Sequence, residues 1–238
     1  MSHQSMNVGP TRKQPQHPFS VWHLLFLAFV LVPLGSSYGS DQSDTVTIAT
    51  ARGFSLGKEV SVRGFITVPP GLFASFTGEQ GFAIEDSTGG IYVQLESAIS
   101  LQLGKEVRVS GQLAEIAKLT VISIRIALID QLSQQVVVQP ADVTTGAVSA
   151  ATEGRLVRIQ GTITRPIGDD RPYGYKIFLD DGSGETQVFL PVSTGIDPLA
   201  FPGLHVGRRL AVIGFSGRFN DTYELIPRFP ADLAVASP

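Results

Sequence analysis

From about residue 47 onward, apolar and polar residues alternate with a period of two in short runs separated by Gly, Asp, Ser and Pro. Val60, Val62 and Gly64 alternate with Ser61, Arg63 and Phe65. Val157, Ile159, Gly161 and Ile163 repeat that pattern. A period of two places successive side chains on opposite faces, which predicts half-buried β-strands rather than helices. The runs also recur in order. Glu59-Val-Ser-Val-Arg-Gly-Phe-Ile-Thr67 aligns with Leu156-Val-Arg-Ile-Gln-Gly-Thr-Ile-Thr164. Phe82-Ala-Ile-Glu-Asp-Ser-Thr-Gly-Gly-Ile-Tyr-Val-Gln-Leu95 aligns with Ile177-Phe-Leu-Asp-Asp-Gly-Ser-Gly-Glu-Thr-Gln-Val-Phe-Leu190. Leu103-Gly-Lys-Glu-Val-Arg-Val-Ser-Gly111 aligns with Val206-Gly-Arg-Arg-Leu-Ala-Val-Ile-Gly214, and residues 119–122 align with 222–225. Four blocks kept in order, with the offset drifting only in loops, mark an internal repeat.

Each repeat then reads as five strands. The second and third are joined by turn residues, Glu85-Asp-Ser-Thr-Gly-Gly90 and Asp180-Asp-Gly-Ser-Gly184, where Gly supplies positive φ and Asp or Ser closes local hydrogen bonds. The fourth opens after a Gly (Gly104, Gly207) and ends at another (Gly111, Gly214). The fifth spans residues 119–126 in the first copy and 223–229 in the second, where Pro227 points to an edge or a strand end. A long first hairpin, a tight second one and a crossover between strands three and four describe an oligonucleotide/oligosaccharide-binding (OB) barrel. The expected fold is all-β: two tandem five-stranded OB barrels, residues 47–130 and 153–235. Residues 131–152 read as an ordered linker with a short helix near 146–152.

Three stretches carry a more specific likeness: Gly81-Phe-Ala-Ile-Glu-Asp-Ser-Thr-Gly-Gly-Ile-Tyr-Val93, Leu103-Gly-Lys-Glu-Val-Arg-Val-Ser-Gly111, and Val143-Thr-Thr-Gly-Ala147 leading to Glu153-Gly-Arg-Leu-Val-Arg-Ile-Gln-Gly161. With them the chain resembles the tandem OB domains of exported bacterial proteins, found in secreted nucleases and in the extracytoplasmic regions of sensor kinases. The resemblance covers nearly all of residues 47–235. It implies a binding module, and the two barrels are expected to act without an appended kinase, nuclease or transmembrane module.

The N-terminal pattern differs. Arg12 and Lys13 precede an apolar run at residues 21–35, and the small residues Gly35, Ser36, Ser37 and Gly39 follow it. The run is shorter than the ~20 residues that span a bilayer as a helix. A basic region, a short apolar core and a small-residue zone describe a secretory signal peptide over residues 1–39, with an uncleaved anchor as the alternative. Cleavage leaves no membrane span and places the protein outside the cytoplasm, periplasmic or secreted.

Composition narrows the chemistry. The 238 residues include no Cys, which excludes disulfides, thiolate metal sites and thiol catalysis. Of four His, only His205 lies beyond residue 23, which disfavours His-rich metal sites and Ser/His/Asp triads. The carboxylate pairs Asp169-Asp170, Asp180-Asp181 and Glu85-Asp86 suggest acid/base chemistry at first sight. Two of them fall at the turn between strands two and three, where a turn favours Asp. No catalytic residue, metal ligand or cofactor is expected.

An OB barrel binds on the outer surface of strands two and three. In the second copy, alternation points Lys176, Phe178, Gln187 and Phe189 outward, with Arg158 on strand one. The first loop adds Arg165, Arg171, Tyr173 and Tyr175, and the last hairpin adds Arg218 and Phe219. The candidate ligand site is Arg158, Lys176, Phe178, Phe189, Tyr175, Arg218 and Phe219. Stacking rings beside cations suit single-stranded nucleic acid; they also suit an oligosaccharide. The first copy offers Arg63, Phe65 and Tyr92, with Phe73 and Phe76 from its long loop, but Ala83 and Gln94 replace the two outward aromatics.

Charge counts against nucleic acid, because phosphate neutralisation dominates that affinity. Residues 153–238 carry nine basic and ten acidic side chains, and residues 40–152 seven and eleven. Outward aromatics also serve packing between barrels or against an envelope protein partner, so a protein-interaction or envelope-sensing module is the competing reading. Export is checked directly by N-terminal sequencing. The mature chain is expected to begin between Tyr38 and Ser40, and soluble cytoplasmic protein retaining Met1 or Met6 contradicts it.

Overall fold

The computed structural model describes residues 45–124 and 128–235; the expected signal peptide, residues 1–39, lies outside them. Two β-barrels form from strands that do not interleave. The first uses β1 (Glu59–Val68), β2 (Phe82–Glu85), β3 (Gly90–Gln94), β4 (Lys105–Ile116) and β5 (Leu119–Ser123). Their order is β1-β2-β3-β5-β4, and β4 returns to pair with β1 from Glu59↔Gln112 to Phe65↔Glu106. The step from β3 to β5 is parallel, Tyr92↔Val121, which is why a crossover connects strands three and four. Closure leaves no free edge within the ring.

After the first barrel come β6 (Ile129–Gln135), β7 (Ala141–Asp142), β8 (Leu156–Ile163), β9 (Gly168–Asp170), β10 (Gly174–Asp180), β11 (Thr186–Pro191), β12 (Arg209–Phe219), β13 (Thr222–Ile226) and β14 (Leu233–Val235). The second barrel is β8-β10-β11-β13-β12, closed by β12 on β8 over Arg209↔Thr162 to Phe215↔Leu156. Its parallel step is β11 to β13, Gln187↔Glu224. The chain is thus all-β with short helical turns, and both rings share one strand order. Among the described residues no helix is long and apolar enough to cross a membrane.

The repeat extends to its contacts. A Cβ on Gly64 would lie 3.0 Å from the Glu85 carbonyl oxygen, and one on Gly161 would lie 3.0 Å from the Asp180 backbone. Both glycines let strand one bend over the end of strand two. Asp86 accepts from the Ile48 and Gly89 amides, at 2.9 and 3.0 Å. Asp181 does the same for Thr145 and Ser183, at 3.1 and 3.0 Å. Each carboxylate ties the beginning of its repeat to its own tight turn. Burial alone would push the Asp86 carboxyl up, but the hydrogen bonds from Thr88, Ile48 and Gly89 outweigh it and hold it below the usual range. Hydrogen bonds from Ser183 and Thr145 hold Asp181 low as well. These turn carboxylates therefore act as structural acceptors.

The expected linker is corrected in part. Residues 129–135 are strand β6, paired with β4 at Val107↔Gln131 and Arg108↔Asp130. This strand is polar on both faces, with most of its residues exposed. Ladder hydrogen bonds hold such an edge strand, so it leaves no apolar alternation to read. The expected short helix is a single 3-10 turn, Thr145–Ala147. The fifth strands are shorter than expected, ending at Ser123 and Ile226. Strands β9 and β14 had no sequence signal strong enough to mark them.

Each barrel has its own apolar interior, and a third cluster joins them. Val68, Phe73, Ala83, Tyr92, Leu119 and Val121 of the first repeat pack on Phe215 and Ile226 of the second. Phe215 lies 5.9 Å, ring to ring, from both Phe73 and Tyr92. Polar contacts surround this seam. Glu85 accepts from Arg155 Nε at 3.0 Å and from the Leu156 amide at 2.9 Å. Arg52 meets Glu153 at 2.8 Å. Arg228, held by Asp232, donates to the Thr67 carbonyl at 2.9 Å. Gly90 and Gly154 approach so closely that a Cβ on either would sit 1.9–2.1 Å from the other's carbonyl oxygen. The two barrels belong to one compact unit.

Candidate functional site

The outer face of β2 and β3 in the first barrel is covered. Tyr92 and Ala83 point outward, as alternation requires, yet both are fully buried in the seam cluster. Tyr92 donates its hydroxyl to Glu79 at 2.7 Å; burial, with the Glu79 charge beside it, pushes the phenol well above its usual range. The equivalent face of the second barrel stays partly open.

That face forms a groove of about 490 Å³. Lys176 of β10, Gln187 and Phe189 of β11, and Thr222 and Glu224 of β13 line it. Asp170 and Tyr173 close one side, and Phe219 the end of β12. The remaining wall comes from the first repeat: Ser75 and Phe76, on the second of two short helices, α1 (Ile48–Arg52) and α2 (Ala74–Thr77). Phe76 lies 5.6 Å from Phe189 and 5.9 Å from Phe219, both tilted contacts. Serine hydrogen bonds fix that wall. Ser75 Oγ donates to the Tyr173 carbonyl at 3.0 Å, the Ser75 amide donates to Ser193 Oγ at 3.1 Å, and Ser193 Oγ donates to the Leu72 carbonyl at 2.7 Å. The long loop between strands one and two of the first barrel thus completes the site of the second.

Sequence-derived candidates divide accordingly. Lys176, Phe189 and Phe219 line the groove; Arg158, Phe178, Tyr175 and Arg218 do not. Tyr175 needs correction. Strand β10 begins at Gly174, which puts Tyr175 in the strand rather than the loop, paired with β9 at Tyr175↔Asp169. Alternation with Ile177 and Leu179 then turns Tyr175 into the core. Phe178 faces outward under the Arg165 guanidinium, 4.4 Å from its ring centroid. Arg218 stacks over Tyr223 at 5.0 Å. Arg158 pairs with Asp142 at 3.2 Å. Phe189 points outward but is only 4% exposed, since Phe76 covers it.

Charge in the groove is mixed. Lys176 Nζ meets Asp170 at 2.8 Å. On the surface nearby, Arg171 holds the Asp169 carboxyl down at about 2 through paired hydrogen bonds, and Arg165 pairs with Glu185. At the floor, Glu224 is 1% exposed and accepts from the Gln187 side-chain amide. Burial pushes its carboxyl up to about 7, against the opposing pull of Gln187 and Lys176. Glu224 was missed from sequence; its one signal is a Glu at the centre of an apolar strand, Thr222-Tyr-Glu-Leu-Ile226. The groove offers rings on its walls, the Gln187 amide, the hydroxyls of Ser75, Tyr173 and Thr222, the Lys176–Asp170 pair, and the Glu224 carboxyl at its floor. That equips it to hold a flat-faced, hydrogen-bonding ligand.

No protein family profile matches the chain, and no curated protein matches it in sequence. Solved structures do match. A chain of the Stn1-Ten1 complex from S. pombe is 21% identical, with a TM-score of 0.30, over 35% of this chain and 59% of that one. The present chain therefore spans less than two thirds of that protein's length. The HIN2 domain of tetrameric p202 is 12% identical, covering 77% of this chain and 97% of that one, with a TM-score of 0.36. A murine DNA-binding protein solved with double-stranded DNA is 10% identical, covering 75% and 97%, with a TM-score of 0.40.

The placement of the two outward phenylalanines separates their roles. Phe189→Ala removes a buried ring and is expected to lower unfolding free energy by about 3–5 kcal/mol. Phe178→Ala loses a surface ring and its cation–π contact, worth about 0.5–1 kcal/mol. Urea unfolding of the two variants checks this; equal losses contradict the assignment.

Proposed function

We propose that this protein is an exported, non-enzymatic binding module that holds a single polymer strand in the groove of its second barrel, and that the strand is a neutral oligosaccharide. The observation that carries this reading is the charge at the site. The lysine in the groove is neutralised by Asp170, and the floor is a carboxyl. A phosphate backbone would find no net positive charge in the groove, because Asp170 offsets the lysine. Around the site, Arg158, Arg165 and Arg171 are each engaged by a carboxylate. A sugar ring needs an aromatic face and hydrogen-bonding groups, and Phe76, Phe219 and Tyr173 with Gln187, Thr222 and Glu224 supply both.

The wider reading of a binding module also accounts for the carboxylate pairs without catalysis. Glu85, Asp86 and Asp181 are occupied as acceptors of backbone amides. The basic, apolar and small-residue pattern of residues 1–39 supports an extracytoplasmic setting for the module, where neutral glycans are accessible ligands.

A salt titration separates the readings. Chitohexaose or cellohexaose affinity is expected to stay within about twofold between 50 and 200 mM salt. Single-stranded oligonucleotide binding through several phosphates would fall by orders of magnitude over that range. Phe219→Ala and Phe76→Ala are each expected to cost at least about 1 kcal/mol of sugar affinity, as central aromatic contacts do. Steep salt dependence with an oligonucleotide identifies nucleic acid instead. Binding of neither polymer leaves the protein-interaction or envelope-sensing module.

A further inference from the structure

Glu224 is the one carboxyl set into the floor of the groove. Strand pairing fixes its position: it lies opposite Gln187 of β11 in the parallel step and opposite Gly217 of β12. The groups facing it can be named element by element. Strand β11 brings the Gln187 amide, which donates to its Oε2. Strand β10 brings Lys176, and β9 brings Asp170, already bound to that lysine at 2.8 Å. Strand β12 brings only backbone at Gly217, since Arg218 turns away to Tyr223 and the Asn220 carbonyl. Helix α2 brings Ser75 and Phe76, which carry no charge.

We propose that Glu224 is the specificity-determining group of the groove and reads its ligand as a neutral carboxylic acid, donating its O–H to an acceptor oxygen of a bound sugar. The geometry assigns the two oxygens separate tasks. The oxygen that accepts from Gln187 acts as the carbonyl of the acid, and the other oxygen keeps the proton. Gln187 thereby holds the acid in orientation as well as in place. The inference rests on the groove being the ligand site.

A seated ring would close this already buried carboxyl off further, and burying an unpaired anion is far more costly than burying the acid. The nearby lysine gives little relief, because Asp170 shares its charge. Free Glu224 is balanced between its two forms, its carboxyl pushed up to about 7 by burial. Binding the acid form then raises this value further. The complex holds the proton more tightly than the free protein, so affinity is full below about pH 6. It falls by up to about tenfold per pH unit once the free protein is ionised. The selected ligand is one that presents an acceptor oxygen, such as the acetamido carbonyl of an N-acetylated sugar.

The experiment is chitohexaose affinity for the full mature protein from pH 5.5 to 8.5, for the parent and for Glu224→Gln. The parent is expected to lose at least about tenfold in affinity between pH 6 and 8.5. E224Q, a neutral donor of similar shape, is expected to keep the parent's low-pH affinity across the range. In the free parent protein, a carboxyl carbon NMR titration should place the Glu224 midpoint near 7, a readout that stands even if the variant folds poorly. Chitohexaose binding that is flat with pH overturns the proposal, and so does a Glu224 midpoint near 4.5. A folded E224Q that loses binding at pH 6 overturns it as well. If chitohexaose and cellohexaose bind at no pH, the reading of the groove as a sugar site fails first and takes this inference with it.

Discussion

Everything else in this structure depends on one act of burial: the outer face of β2 and β3 in the first barrel lies against β12 and β13 of the second. Two closed barrels need not touch. Here Tyr92 and Ala83 take the positions from which an OB barrel meets its ligand and place them in a shared apolar cluster with Phe215 and Ile226. Burial of a Tyr is tolerated only if its hydroxyl finds a partner, and Glu79 provides one. Gly90 and Gly154 let the backbones meet. Glu85, Arg155, Arg52 and Glu153 then satisfy the polar rim. The consequence is asymmetry. The face of one barrel is covered, and that of the other stays partly open as a groove.

The asymmetry also shapes the site. Because the first barrel packs on β12 and β13, its long loop reaches over the second barrel's face, where Ser75 and Ser193 lock it down. Phe76 then bridges Phe189 and Phe219. The groove is a property of the pair. Neither repeat alone carries all its walls, and Phe76 belongs to a different repeat from Phe189 and Phe219, whose rings it meets.

Much of the fold was legible from the chain, for identifiable reasons. The repeat showed itself because both copies need Gly where strand one crosses strand two, and Asp where the tight turn meets the start of the repeat. Gly64, Gly161, Asp86 and Asp181 are those positions. Strand β6 was not legible, since a polar edge strand held by ladder hydrogen bonds carries no alternation. Site residues were harder. Alternation identifies which side chains point outward, and it placed Lys176 and Phe189 correctly on the face. It does not report what covers that face, so Tyr92 and Phe189 read as outward, open equally to a ligand or to the other barrel. Tyr175 was misplaced because pairing with β9 extended β10 beyond the apolar run. Glu224 followed from no local pattern; its role appears only when the parallel step sets it beside Gln187.

The central claim is that the covered face makes the two barrels one cooperative unit with a composite groove. Native-state hydrogen exchange with increasing denaturant tests it most directly. Amides of β2 and β3 in the first barrel and of β12 and β13 in the second should lose protection together, in a single opening. Phe215→Ala should lower protection in both barrels by the same amount. Two separate openings, with the first barrel's β2 and β3 unaffected by Phe215→Ala, would contradict the account.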